Sequence, residues 1–303
     1  MATRGWSLEG RTVLVTGAAR GIGAESARRL AARGAKLSLV GLEPGELERV
    51  AGECGPDAVS FEADVTDWDA LEEAVSATAE RFGGIDAVVA NAGIAPIGTV
   101  RAVEPGVFER TIEINLLGVW RTVRICLPHV IERKGYVLPI ASVAAAIHAP
   151  GMAAYCAAKA GVEAFSDCLR SEVEHLGVDV GCGYFSFIAT DMVAGADAHP
   201  ATGFLRERVR GPLGKTYPVS AAGEAVARGI ESRSRSVVVP GWARLLLRFR
   251  TFLTPLAQRS YRANAQEMDE RFEADVAARG RAEASAPVGA GGAAVRDTVV
   301  NRT

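Results

Sequence analysis

This chain is poor in the features that announce a metal, a scaffold of disulfides or a membrane span. Its 5 cysteines (Cys54, Cys126, Cys156, Cys168, Cys182) are odd in number, widely spaced and never arranged Cys-x-x-Cys. That excludes a disulfide framework and fits buried thiols in a reducing cytoplasm. The 4 histidines (His129, His148, His175, His199) show no ligand spacing, so no metal site is expected. No run approaches the roughly 18 apolar residues of a spanning helix. Residues 1–6 lead into a polar segment rather than an apolar signal core, so the expected location is the cytoplasm. Charge of one sign is missing too: Lys+Arg 34 against Asp+Glu 36 leaves a formal charge of −2, which gives no global pull toward nucleic acid or anionic lipid.

What is present is a 303-residue chain, 49% hydrophobic and 23% charged, able to bury a substantial core as a globular protein. Short apolar runs alternate with helical patterns. Residues 11–16 read as a buried β-strand running into Gly17-Ala18-Ala19-Arg20-Gly21-Ile22-Gly23, with a helix after it. Glycines between strand and helix let the backbone approach a diphosphate, whose charge meets free N–H groups at the helix start. A plain βα turn is the alternative. Residues 36–40 read as the second strand, ending at Gly41-Leu42-Glu43. There a dinucleotide fold selects its cofactor, an acid bonding a ribose 2′-OH and a base accepting a 2′-phosphate. Glu43 sits slightly late and Arg20 is either within reach of a 2′-phosphate or a solvated surface arginine, which leans the reading weakly toward NADP(H) over NAD(H).

Residues 58–62 form a third expected strand ending in Asp64-Val65, where Asp64 either bonds an adenine amino group or caps a turn. Thr66-Asp67 reads as the N-cap of a helix through residue 82. Residues 85–90 give strand four and lead to Asn91-Ala92-Gly93, small residues over which a ligand can lie. A long helical stretch is expected over about 106–133, carrying Asn115, followed by strand five at 136–141, with Pro139 an oddity for a central strand, and then Ser142. Tyr155 and Lys159 stand four residues apart in an Ala-rich helical run, so phenol and ammonium converge on one face. A fixed cation favours the phenolate and lowers the tyrosine pKa, as a general acid or base requires.

Taken together and in order, Thr16-Gly17-x-x-x-Gly21-x-Gly23, Asn91-Ala92-Gly93, Asn115, Ser142 and Tyr155-x-x-x-Lys159 resemble the short-chain dehydrogenase/reductase family over roughly residues 8–240. The resemblance implies an α/β, doubly wound Rossmann-type parallel sheet of about seven strands between helices, with NAD(P) across the strand ends. It implies that Tyr155 is the acid/base, that Lys159 bonds the nicotinamide ribose and depresses the tyrosine pKa, that Ser142 polarises the substrate oxygen, and that Asn115 holds a water in a proton relay. Ile188 and Thr190 stand where the family bonds the carboxamide. Two departures accompany this: Phe185-Ser186 replaces the usual Pro-Gly after strand six, and Ala90 replaces the first Asn of Asn-Asn-Ala-Gly. The substrate expected is an apolar secondary alcohol or ketone, by analogy steroid-, lipid- or xenobiotic-like; a catalytically silent nucleotide-binding or scaffold protein on the same fold is the rival reading.

The resemblance implies that residues 191–218 close over substrate, with Met192, Val193, Phe204, Leu205, Leu213 and Tyr217 as an apolar lining; packing of these loop residues on the domain is the equal alternative. Beyond residues 1–240 come an expected helical extension at 241–280 and an Ala/Gly-rich tail at 281–303 expected to be disordered. In the extension Trp242, Leu245, Leu246, Phe249, Phe252, Leu253 and Leu256 recur at helical spacing, with Arg244, Arg248 and Arg250 on other faces. Docking on the domain or on a second subunit, covering the substrate site, and a peripheral membrane contact through 242–256 all fit that pattern. The expected partners are a small-molecule substrate and a second copy, as homodimer or homotetramer, and no nucleic acid.

Overall fold

The computed structural model describes residues 6–200, 202–208 and 211–300. The chain opens with β1 (Thr12–Thr16), α1 (Gly21–Ala31), β2 (Lys36–Gly41), α2 (Pro44–Cys54), β3 (Ala58–Glu62), α3 (Trp68–Phe82) and β4 (Ala87–Ala90). These strands lie parallel, β1 pairing β2 with Val13 opposite Leu37 and pairing β4 with Val13 opposite Ala87. Their side chains are buried on both faces, which is why β1 and β4 read as unbroken apolar runs rather than alternating ones. Asp67 caps α3 by accepting from the Ala70 N–H at 3.2 Å, and Gly83 ends it in the left-handed region.

After β4 come α4 (Pro105–Ile112), a π-helical turn (Glu113–Leu117) and α5 (Gly118–Glu132), then β5 (Tyr136–Pro139) and α6 (Ala153–Val173). The long helical stretch expected over 106–133 is thus two α-helices joined by one wide turn, and Asn115 sits in that turn. Next are β6 (Asp179–Val180), β7 (Cys182–Phe185), α7 (Asp191–Ala198), α8 (Gly203–Arg208), α9 (Val219–Glu231) and β8 (Ser236–Val239).

The main sheet has six parallel strands in the order β3-β2-β1-β4-β5-β6, and β7 and β8 form a parallel pair linked to it by an Ile140–Gly183 bridge. The expected sixth strand is therefore split at Gly181. A Cβ there would strike the Tyr136 hydroxyl, which donates to the Ser234 carbonyl at 2.7 Å and wedges the strand open. The split also accommodates Pro139. Only Tyr136 and Val137 of β5 pair with β6, so the proline lies past the last pair and its missing N–H costs no ladder bond, while Ile140 N–H still reaches the Ala90 carbonyl at 2.9 Å. The direction in which strands are added to the sheet reverses between β1 and β4, and their C-terminal ends open a crevice at that switch point.

The extension forms α10 (Ala243–Arg262), α11 (Ala265–Arg279), α12 (Arg281–Ala284) and α13 (Ala290–Val300). Met268 and Phe272 of α11 are buried against Ile97 and Ala102, and Phe272 packs on Gly151, so α11 lies over the loops that follow β4 and precede α6. α10 is tied to α6 by Arg250, whose guanidinium bonds Glu163 at 2.5 Å, while Leu245, Phe249, Phe252 and Leu256 remain exposed. Residues 281–300 depart from the disorder that their composition suggests: Ala284, Ser285 and Val295 are buried, because small side chains let this segment thread between other elements. Residues 301–303 of that tail lie outside the described residues. Among the described residues no helix is long and apolar enough to cross a membrane.

Candidate active site

The glycine turn is shaped for something other than side chains. Gly17 has φ 64° and Gly21 φ 55°, conformations that L side chains resist, and a Cβ on Gly23 would collide with the Gly17 carbonyl. Asn91 holds the turn from across the switch point. Its Nδ2 donates to the Thr16 carbonyl at 3.0 Å and to the Gly17 carbonyl at 3.2 Å, while the Thr16 hydroxyl accepts from Asn91 N–H at 3.1 Å. α1 starts with no side-chain cap and no acid in its first turn, leaving N–H groups and a positive helix end directed at the crevice. This cradle fits a diphosphate.

Around it lies a cavity of about 200 Å³ bordered by Gly17, Arg20, Gly21 and Ile22, by Asp64 and Val65, by Asn91, Ala92 and Gly93, and by Thr190. Two expected contacts sit behind this wall instead. Gly23 is buried within α1, and Ile188, 1% exposed, is paired with Tyr217 and presents its carbonyl to Thr190 N–H at 2.7 Å. Thr190 caps α7 and packs beside Gly21. Asp64 already has partners on both oxygens: Thr66 N–H at 2.9 Å and hydroxyl at 2.8 Å on one, Arg110 at 2.7 Å on the other. Burial pushes its carboxyl up, but the Thr66 and Arg110 bonds prevail and hold it below the usual range. Arg20 grips Glu43 with two nitrogens and reaches Asp191 at 3.2 Å, and the Glu43 hydrogen bond raises its pKa further.

At the other end, the catalytic candidates converge. Ser142 begins a short 3-10 turn, accepting from Ala144 N–H at 3.1 Å and donating to the Phe185 carbonyl at 3.2 Å, and its hydroxyl lies close enough to the Tyr155 phenol to lower the phenol's pKa. One helical turn on from Tyr155, Lys159 is 4% exposed, donates to the Ile140 carbonyl at 2.8 Å and has Nζ 5.7 Å from the Tyr155 ring centroid. A Cβ on Gly93 would lie 3.2 Å from Asn115 Oδ1 and 3.5 Å from Lys159 Nζ, so these three groups meet at one point. Asn115 is fully buried and makes a reciprocal pair with Ile94, accepting its N–H and donating to its carbonyl, both at 2.8 Å. The π-helical turn aims the side chain at that loop; a regular helix would rotate it away.

One expectation is reversed here. The net shift of the phenol is upward: burial pushes Tyr155 up to about 12, against the lowering effect of Ser142, and pushes Lys159 down to about 8. Both shifts disfavour the charged form in a dry site. The arrangement holds a neutral phenol, able to donate a proton, beside a lysine able to exchange one near neutral pH.

Phe185-Ser186 leaves the backbone extended: Phe185 fills the core and Ser186 N–H continues the β7–β8 ladder to the Val239 carbonyl at 2.9 Å. Of the expected lid, Met192 borders the cavity and Phe204 packs on the Met268–Phe272 cluster. Tyr217 serves instead as an anchor for the extension, its hydroxyl accepting from Trp242 Nε1 at 3.0 Å. Leu213 is half exposed, and the side chain of Leu205 lies outside the described residues. Sequence reasoning missed Arg110 as the Asp64 partner and the Phe185 carbonyl as the Ser142 partner. Neither carries a motif, since one is a helix arginine and the other a backbone atom.

Residues 11–201 match the family model described as short chain dehydrogenase. The chain is 31% identical over 217 residues to 3-oxoacyl-(acyl-carrier-protein) reductase FabG of Vibrio cholerae, covering 71% of this chain and 89% of that protein. It is 34% identical over 197 residues to the fatty acyl-CoA reductase of Acinetobacter baylyi, covering 62% of this chain and 66% of that protein. In structure it is similar to a dehydrogenase/reductase from Sinorhizobium meliloti, with TM-score 0.71 and 28% identity over 78% of this chain and 96% of that one.

Proposed function

The chain belongs to the short-chain dehydrogenase family, and from that premise we propose that it is a reductase of apolar ketones whose proton donor is Tyr155. NAD(P)-dependent oxidoreduction is the family's chemistry; the bound nicotinamide supplies or accepts hydride. The glycine cradle at residues 17–23, with Thr190 and the Asn91-Ala92-Gly93 turn, would hold that cofactor, and a Cβ at Gly17 or Gly23 would strike Ala92 or the Gly17 carbonyl and so force the cradle out of shape. The single observation that carries the catalytic reading is the convergence of Ser142, Tyr155 and Lys159.

In this reading the Ser142 hydroxyl turns its proton from the Phe185 carbonyl to the substrate carbonyl oxygen and aligns it with Tyr155. The phenol, held neutral by burial, gives its proton to the developing alkoxide, which is the reducing direction. Lys159 balances the phenolate as it forms, and Asn115, fixed by Ile94, lies beside the lysine as the inner end of a proton path. The apolar character of the substrate is supported by relatives whose names specify acyl groups.

For the cofactor's 2′ end we take NADP(H) as the preferred form. Among the described residues Arg20 is the one cation bordering the cavity. Its bond to Glu43 is about a third exposed, and such pairs contribute only about 0–1 kcal/mol, so a 2′-phosphate displaces the carboxylate at small cost. Glu43 itself favours the second reading, NAD(H), since a carboxylate accepts from a ribose 2′-OH. Titrating NADPH and NADH separates the two, tighter NADH binding deciding for Glu43. A panel of ketones, followed at the nicotinamide absorbance, tests the activity. Cofactor binding without turnover on any of them would favour the silent nucleotide-binding alternative.

The 5 free cysteines support a reducing compartment, the cytoplasm. We also infer a homo-oligomer formed with a second copy through α5 and the π-helical turn before it, where Trp120 is 41% and Leu117 37% exposed. Light scattering on the purified chain tests it. A monomer that cosediments with anionic vesicles would assign the exposed face of α10 to a membrane surface instead.

A further inference from the structure

The dinucleotide crevice is part-filled by this chain's own C-terminal segment. Ser285 anchors the approach, 2% exposed and accepting from Glu104 N–H at 3.0 Å. Val288 N–H then donates to the Ala95 carbonyl at 3.0 Å. At Gly289 (φ 80°) the backbone passes so close to α7 that a Cβ would stand 2.8 Å from Met192 N, and a Cβ on Gly195 would stand 2.9 Å from Gly289 N. Gly291 comes against Arg20, its Cβ position 3.7 Å from Arg20 Cδ. Val295 ends the path, 7% exposed among Val65, Ile94 and Ile114, which flank the β1–β4 switch point.

We propose that residues 286–295 are an intramolecular competitor for the dinucleotide, seated over its adenine and diphosphate ends and displaced when cofactor binds. This rests on the cofactor reading above. Space argues for competition rather than coexistence. The cavity left beside the segment is about 200 Å³ and is bordered by Val288, Gly291, Gly292, Ala294 and Val295, whereas sites that bury even drug-sized ligands run to about 300–1,000 Å³. The occupant is matched to the cleft: glycine and alanine keep its backbone thin enough to enter, and one valine fills the apolar end. Being tethered, it needs little intrinsic affinity, since a short linker supplies an effective concentration of about millimolar. A segment seated about nine-tenths of the time raises the apparent cofactor Kd about tenfold.

The test measures NADPH and NADH binding by nicotinamide fluorescence for the full chain, a chain ending at Ser285, and the full-length Val295→Asp variant, which puts a charge in the apolar pocket without shortening the chain. The expected result is about tenfold tighter binding by both variants, reversed for the shortened chain by adding a peptide of residues 286–303. Equal or weaker binding by the variants would overturn the proposal, weaker binding making the segment a clamp on bound cofactor. If the shortened chain does not fold, Val295→Asp alone decides. If folded variants and full chain alike bind neither cofactor, it is the cofactor reading that fails, and the proposal falls with it.

Discussion

Replacing Lys159 by methionine should stabilise the protein at neutral pH while removing its activity. Lys159 is 4% exposed, and burial pushes its ammonium from the ordinary 10.5 down to about 8. That gap of about 2.5 units corresponds to roughly 3 kcal/mol. Because the folded value is the lower one, the unfolded chain holds the proton more tightly between pH 8 and 10.5. The penalty on folding is therefore full below pH 8 and fades as pH rises toward 10.5. Methionine removes it but leaves the Ile140 carbonyl without the lysine donor, a loss of about 1–3 kcal/mol. The net gain at pH 7 is about 1 kcal/mol, or a rise of about 2–4 °C in Tm. Thermal melts of parent and Lys159→Met at pH 7, 8.5 and 10 are the assay, and the variant's advantage should shrink as pH rises. A difference that stays constant with pH would refute the reasoning, because it would mean that the buried amine is not the source.

Other consequences are as direct. Asn115→Ala strips both bonds from Ile94 in a fully buried site and should lower stability by about 2–4 kcal/mol in urea titrations; a loss under about 0.5 kcal/mol would mean that the π-helical turn is not held by this pair. Gly23→Ala drives a Cβ into the Gly17 carbonyl and should weaken nicotinamide cofactor binding at least about tenfold, an outcome that an unchanged titration would contradict. Since burial puts Tyr155 up to about 12 and Lys159 down to about 8, ketone reduction should decline with a midpoint near 8 as the lysine loses its charge. A rate flat through pH 10 would remove Lys159 from the proton chemistry.

Much of this was legible in the sequence for a physical reason. Strands buried on both faces, such as β1 and β4, must be apolar throughout, and a turn that meets a diphosphate must be built of glycine, so both leave local signals. Tyr155 and Lys159 share a helix face by spacing alone. What stayed hidden depends on distant partners. The split at Gly181 follows from the Tyr136 hydroxyl, the wide turn at Asn115 from the Ile94 backbone, and the direction of the Tyr155 shift from how dry the finished site is. The tail at 281–300 misled because small residues signal disorder unless a narrow crevice receives them, and that crevice is built by residues two hundred positions earlier in the chain.

The account turns on the Tyr155 phenol, and the most direct measurement is turnover by Tyr155→Phe under saturating cofactor with a ketone that the parent reduces. A loss of about 100-fold or more in kcat, with cofactor Kd unchanged within about twofold, is the predicted result. Reduction at close to the parent rate would contradict it.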